Sequence, residues 1–255
     1  MNRLFWLRLN GVFAFWLIVS AAAPFDEASR LYKNGEFLKA ASLAETMDTA
    51  SSLALAARAT LAHAIYITPP SRRAVEVRRG EILARKALAI TPNDVEANLQ
   101  LVIALQQKAS EATLINAYVK GYASEAYSHL ETALKEAPND PWANALLGGW
   151  HFEIVHLAGT VASRYLFKAS LREGRAAFTK ALALMPGSII LQYEFARALL
   201  LSNADKNRTE AMLLLTAALT ETPTNYLDKI IAARARSVLD TIKSGSSLDT
   251  SRILY

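Results

Sequence analysis

The sequence predicts an all-α protein: an α-solenoid of stacked helix-turn-helix units with helical insertions. Three observations carry this expectation. Ala and Leu dominate, while Gly and Pro number only ten and eight in 255 residues, a composition that favours helix over tight-turned sheet. Four stretches repeat a small residue, an Ala, a Leu and a Pro at fixed offsets. A polar pair then follows each of those prolines, where a new helix needs a cap. With 52% hydrophobic and 20% charged residues, the chain can bury a large core and is not of the disordered class. It contains no Cys, which excludes disulfides, thiolate catalysis, Cys-ligated zinc and iron–sulfur clusters.

Residues 1–22 read as a secretory signal. Arg3 and Arg8 stand in an acid-free start, Gly11 to Val19 is continuously apolar, and Ser20-Ala21-Ala22 supplies small residues for cleavage after Ala22, the layout of an export signal. The run is shorter than the roughly 20 apolar residues of a membrane span, and an uncleaved N-terminal anchor is the alternative. Cleavage lowers the net charge from +5 to +3, too diffuse for the dense basic stripe that nucleic acid requires. Export without Cys fits a bacterial periplasm.

The repeat sets the elements that follow. Pro92, Pro138, Pro186 and Pro223 are each preceded at five residues by Ala (Ala87, Ala133, Ala181, Ala218) and at four by Leu (Leu88, Leu134, Leu182, Leu219). Twelve before each stands a small residue: Gly80, Ala126, Gly174 or Ala211. The small residue and the Ala lie two turns apart on one face, so a neighbouring helix can approach closely there. Pro ends the helix, and the next begins near Val95, Pro141 or Ile189. Ahead of these units, Tyr32 to Ala40 reads as the turn between two helices, and Ser51 to Ile67 as a helix ended by Pro69-Pro70.

These residues resemble the tetratricopeptide repeat, in which A-x3-F-x2-A and a closing P follow W-x2-L-G-x2-Y. Phe178, Ala181 and Pro186 match its second half, and Leu147-Gly148 its Leu-Gly pair. The prolines are 46, 48 and 37 residues apart instead of about 34, which places short helical insertions near Ser110–Ala123 and Leu157–Arg172. A narrower likeness lies in Gly149-Trp150-His151-Phe152-Glu153-Ile154 and Phe178-Thr179-Lys180-Ala181. On those residues, the stretch from about Trp142 to Leu239 is similar to the divergent repeat domain of the regulator of microtubule dynamics family. The resemblance implies a helical-repeat fold. The expected organisation is a signal at 1–22, a repeat domain of about five hairpins at 23–240 and a tail at 241–255.

Little in the sequence points to chemistry. His151 and His156 are five residues apart, about 140° around a helix, and cannot chelate one ion as an i, i+4 pair does. Trp150 reads as core, filling the space that Gly148 and Gly149 open. No nucleophile elbow or phosphate-cradling loop is present, so no catalytic residue, metal or cofactor is expected. Between Arg72 and Lys86, Arg72, Arg73, Arg78 and Arg79 help to make a +4 stretch, read either as a solvated face or as a contact for anionic membrane or an acidic partner. The expected function is a non-catalytic scaffold holding a protein or peptide in a concave groove lined by Leu99, Ile103, Gln106, Trp142, Tyr193 and Arg197. The alternative is a small-ligand carrier or an accessory protein of periplasmic solute transport.

Overall fold

The computed structural model describes residues 23–111 and 120–244. The expected export signal at 1–22 and most of the first expected insertion lie outside these residues, as does the expected tail beyond Ser244. Among the described residues there are ten helices and no strand: α1 (Pro24–Lys33), α2 (Phe37–Glu45), α3 (Ala50–Tyr66), α4 (Pro70–Ile90), α5 (Val95–Glu111), α6 (Tyr122–Glu136), α7 (Pro141–Phe167), α8 (Leu171–Leu184), α9 (Ile189–Thr220) and α10 (Tyr226–Lys243). The last helix thus runs three residues beyond the expected boundary at 240.

The helices pair as five hairpins plus a closing helix. Each first helix touches its own partner and the first helices beside it, so α1, α3, α5, α7 and the first half of α9 make an inner layer. Two helices carry breaks. Gly159 in α7 has φ 75° and ψ 165°, a combination essentially reserved for Gly. It ends the inner helix of the fourth hairpin and turns residues 160–167 into a separate arm. Asn203 (φ −169°) divides α9 into the two halves of hairpin five, and its Oδ1 caps the second half by accepting from the Lys206 N–H at 3.0 Å.

The repeated small residues sit where helices touch. Ala87, Ala133, Ala181 and Ala218 are fully buried, and a Cβ on Gly80 would stand 2.6 Å from Leu61 Cγ. Gly174 would meet Phe152 Cδ2 at 2.8 Å in the same way. One correction concerns Gly148: its open side is taken by Phe178, whose Cδ2 lies 2.6 Å from where a Cβ would be. Trp150 is buried elsewhere, with its ring 4.7 Å from that of Tyr127 and its Nε1–H donating to the Ala123 carbonyl at 3.0 Å.

Polar residues after the prolines cap the next helix as the repeat predicts. Asp94 and Asp140 each accept a backbone N–H three residues on, at 2.7 Å, and Ser188 does so at 3.3 Å. A second device lies six residues past the proline. Asn98 and Asn144 donate Nδ2–H to the carbonyls of Pro92 (3.2 Å) and Pro138 (3.1 Å), and Gln192 donates to Pro186 at 2.7 Å. Each staple satisfies a carbonyl that the ended helix leaves without a partner.

Apolar packing runs along the stack instead of gathering at one centre. One cluster spans hairpins one to four. Phe152, Phe178 and Phe195 join hairpins four and five, with Phe178 and Phe195 stacked at 4.8 Å. The third cluster seats α10 on hairpin five through Ile231, Ala235 and Val238, and Tyr66 of α3 packs against it. The two ends of the stack also meet, since the Tyr226 ring lies 6.0 Å from that of Phe37.

Candidate partner-binding face

The inner layer carries a line of charged and aromatic side chains contributed by successive hairpins. Arg58 of α3 donates Nε–H to Glu96 of α5 at 2.6 Å and makes a second contact with the same carboxylate. Its guanidinium stands over the Tyr32 ring at 5.8 Å. Burial pushes the Tyr32 phenol up to about 12. Gln100 donates Nε2–H to Glu96 at 2.8 Å, fixing the carboxylate between two donors.

Farther along, Arg197 of α9 donates Nε–H to Glu194 at 2.7 Å. Glu153 of α7 faces this pair and accepts no hydrogen bond among the described residues. Burial raises its pKa, which the nearby Arg197 only partly offsets and Glu194 adds to. A carboxylate held this way costs free energy that packing does not require. Across the inner space, Arg234 of α10 stands 5.0 Å from the Tyr66 ring, and burial pushes the Tyr66 phenol up as well.

The six residues expected along the groove divide into two groups. Leu99 (3% exposed) and Tyr193 (4%) are buried in the first and third clusters. They were expected to be exposed, and close packing of neighbouring first helices, together with α10 over Tyr193, covers them instead. Ile103 packs beside Leu61 and Val77, and Trp142 bridges two clusters, both half-buried. Gln106 and Arg197 are half-buried and polar. Arg58, Glu96 and Glu153 were not foreseen as part of this face. The signal for Arg58 and Glu96 lay in their position on first helices, but pairing across two hairpins is not readable from spacing.

The basic stretch of α4 is partly committed within the fold. Arg73 is buried and donates Nε–H to the Ala64 carbonyl at 3.2 Å, and Arg79 pairs with Glu45 at 2.9 Å. Arg72 and Arg78 are exposed.

Each histidine has a distinct setting. His63 Nδ1 lies 2.6 Å from Glu76 and 3.0 Å from Thr68 Oγ1. Both contacts fall on the same ring nitrogen, so the imidazole does not bridge a nucleophile to an acid as a catalytic triad requires. His129 Nδ1 lies 2.6 Å from Asn98 Oδ1. His151 is buried, its Nδ1 accepting from the Ser170 N–H at 3.4 Å, and His156 is exposed. Among the described residues no cluster of three or more His, Asp or Glu could hold a metal ion, and no helix is long and apolar enough to cross a membrane.

The family model described as Regulator of microtubule dynamics protein 1-3 matches residues 25–243, from α1 through α10. The chain belongs to this family. The likeness seen between Trp142 and Leu239 therefore extends over the N-terminal hairpins, and the regulator of microtubule dynamics fold here comprises all five hairpins and the closing helix. No curated protein matches the chain.

Proposed function

We propose that the chain is an exported, non-catalytic repeat scaffold that holds a protein or peptide partner against its inner layer. The supporting observation is the line from Arg58 and Glu96 to Glu153, Glu194 and Arg197. It presents both charge signs beside aromatic rings, on rigid helices, at positions the core does not need. A peptide laid across successive first helices would meet alternating donors and acceptors, and charge-assisted pairs there would set its register. The closing helix α10 covers Tyr193, so the accessible part of the face runs from Arg58 toward Gln106 and Glu153.

Cross-linking capture from native envelope tests this reading, comparing the natural chain with Arg58→Ala and Arg197→Ala variants. Both variants should keep their helicity while losing a captured species. Capture unchanged in both, with folding intact, would remove the inner face as the binding surface.

A further inference from the structure

Large apolar side chains are exposed at scattered places on this protein, and isolated ones need no explanation. The arm created by the Gly159 break is different. Val161 is 71% exposed, Tyr165 82% and Leu166 63%, with Leu157 at 43% just before the break. A cluster of this kind marks an interaction surface. The arm itself is firmly held: Ser163 and Ala169 on its other side are fully or almost fully buried, Phe167 packs against the first core cluster, and the Ala169 N–H closes the helix end on the Ser163 carbonyl at 3.0 Å.

Charge identifies what the arm fits. Between Glu153 and Glu173 the chain has no acidic residue and three cations, Arg164, Lys168 and Arg172. Arg172 pairs with Glu173 at 2.8 Å, whereas Arg164 and Lys168 form no ion pair among the described residues. Residues 161, 164 and 165 recur at the three- and four-residue spacing of one helix face, and exposed Lys168, the left-handed cap residue, follows at the end of the arm. The arm therefore combines a β-branched aliphatic, an almost fully exposed tyrosine and two uncommitted cations. An apolar and aromatic stripe flanked by Lys and Arg is the pattern of an interfacial helix. Aromatic rings partition to the headgroup level, and each cation near an anionic surface adds attraction.

We propose that this arm docks the protein on an anionic lipid surface, with Val161 and Tyr165 entering the headgroup boundary and Arg164 and Lys168 engaging lipid phosphates. The site is separate from the inner face and leaves that face free to hold its partner.

Because the chain has no Cys, single-cysteine variants report local depth. The full chain carrying Val161→Cys or Tyr165→Cys is labelled with a polarity-sensitive fluorophore and mixed with vesicles of phosphatidylcholine, alone or with one-quarter phosphatidylglycerol. Leu213→Cys, at an exposed site on the second half of α9, is the control. Labels at 161 and 165 should shift to the blue on anionic vesicles and only weakly on neutral ones, with the control unchanged. Adding Arg164→Gln and Lys168→Gln should raise the lipid concentration for half-maximal response by about thirtyfold. The proposal is overturned if the arm labels do not respond, if they respond equally to neutral vesicles, or if the Leu213 label responds as strongly. Circular dichroism confirms that each variant is folded.

Discussion

The ring of Tyr226, in the first turn of the last helix, rests against Gly35 in the first hairpin turn. A Cβ on Gly35 would lie 2.4 Å from the ring, and its φ is +85°. The contact joins the two ends of the stack, so their stability is coupled. Replacing Gly35 with Ala should strain the backbone by about 1–2 kcal/mol and displace the ring. A fall in Tm of roughly 2–8 °C is expected. Tyr226→Ala should also lower Tm by releasing the same contact. Thermal unfolding that leaves both variants at the natural Tm would show the ends to be independent.

Gly148 and Gly149 are neighbours on one helix with opposite surroundings. The Cβ of an Ala at 148 would be 2.6 Å from buried Phe178, whereas at 149 the nearest atom is 4.0 Å away. Gly149→Ala should raise stability by up to about 1 kcal/mol through helix propensity. Gly148→Ala should lower it despite the same propensity gain, because overpacking costs about 1–3 kcal/mol. Ala181→Phe, at a fully buried helix contact, belongs with the damaging changes. Denaturant titration should separate the two glycines by sign, and a shared sign would undo the packing assignment.

Burial of Glu153 raises its pKa in the folded state, so the folded protein binds the proton more tightly than the unfolded chain. Stability is then lost as pH rises above the unfolded carboxyl value of about 4.3. Glu153→Gln removes that cost. It should raise Tm at pH 7, and its advantage should vanish below about pH 4. A lower Tm at neutral pH would show that Arg197 makes the carboxylate net stabilising.

His129 acts with the opposite sign. Burial lowers its pKa, and Asn98 has its Nδ2 committed to the Pro92 and Asp94 carbonyls. Its Oδ1 therefore accepts from His129 Nδ1–H. The unfolded chain takes up the proton first, near pH 6.5, so His129 contributes a loss of stability as pH falls from that point. Imidazole resonances followed by NMR should titrate below 6.5. A midpoint above it would contradict the neutral, Nδ1-protonated form.

How much was legible depends on whether a feature is local. The closing prolines, the caps at Asp94, Asp140 and Ser188, and the buried Ala series follow from spacing along one or two helices, and periodicity carries that information directly. The Asn98 and Asn144 staples are equally local, since both stand six residues after a proline in the string Pro-Asn-Asp, but an amide at that position signals no particular partner without the turn geometry. The inner face was legible only as a position on first helices. Leu99 and Tyr193 occupy it, yet are covered by neighbouring helices and by α10.

That the chain is helical, that it is built from repeated hairpins and where each hairpin ends can be read from the residue string alone, because helix propensity, proline geometry and small-residue spacing act over a few turns. That Arg58 reaches Glu96, that Phe178 and not Trp150 fills the gap at Gly148, and that Tyr226 meets Gly35 emerges only from the packing of helices against one another. Those contacts join residues tens to nearly two hundred positions apart. The first two depend on how neighbouring helices pack, and the third on the rotation accumulated from hairpin to hairpin, a quantity that every packed interface contributes to and no single segment encodes.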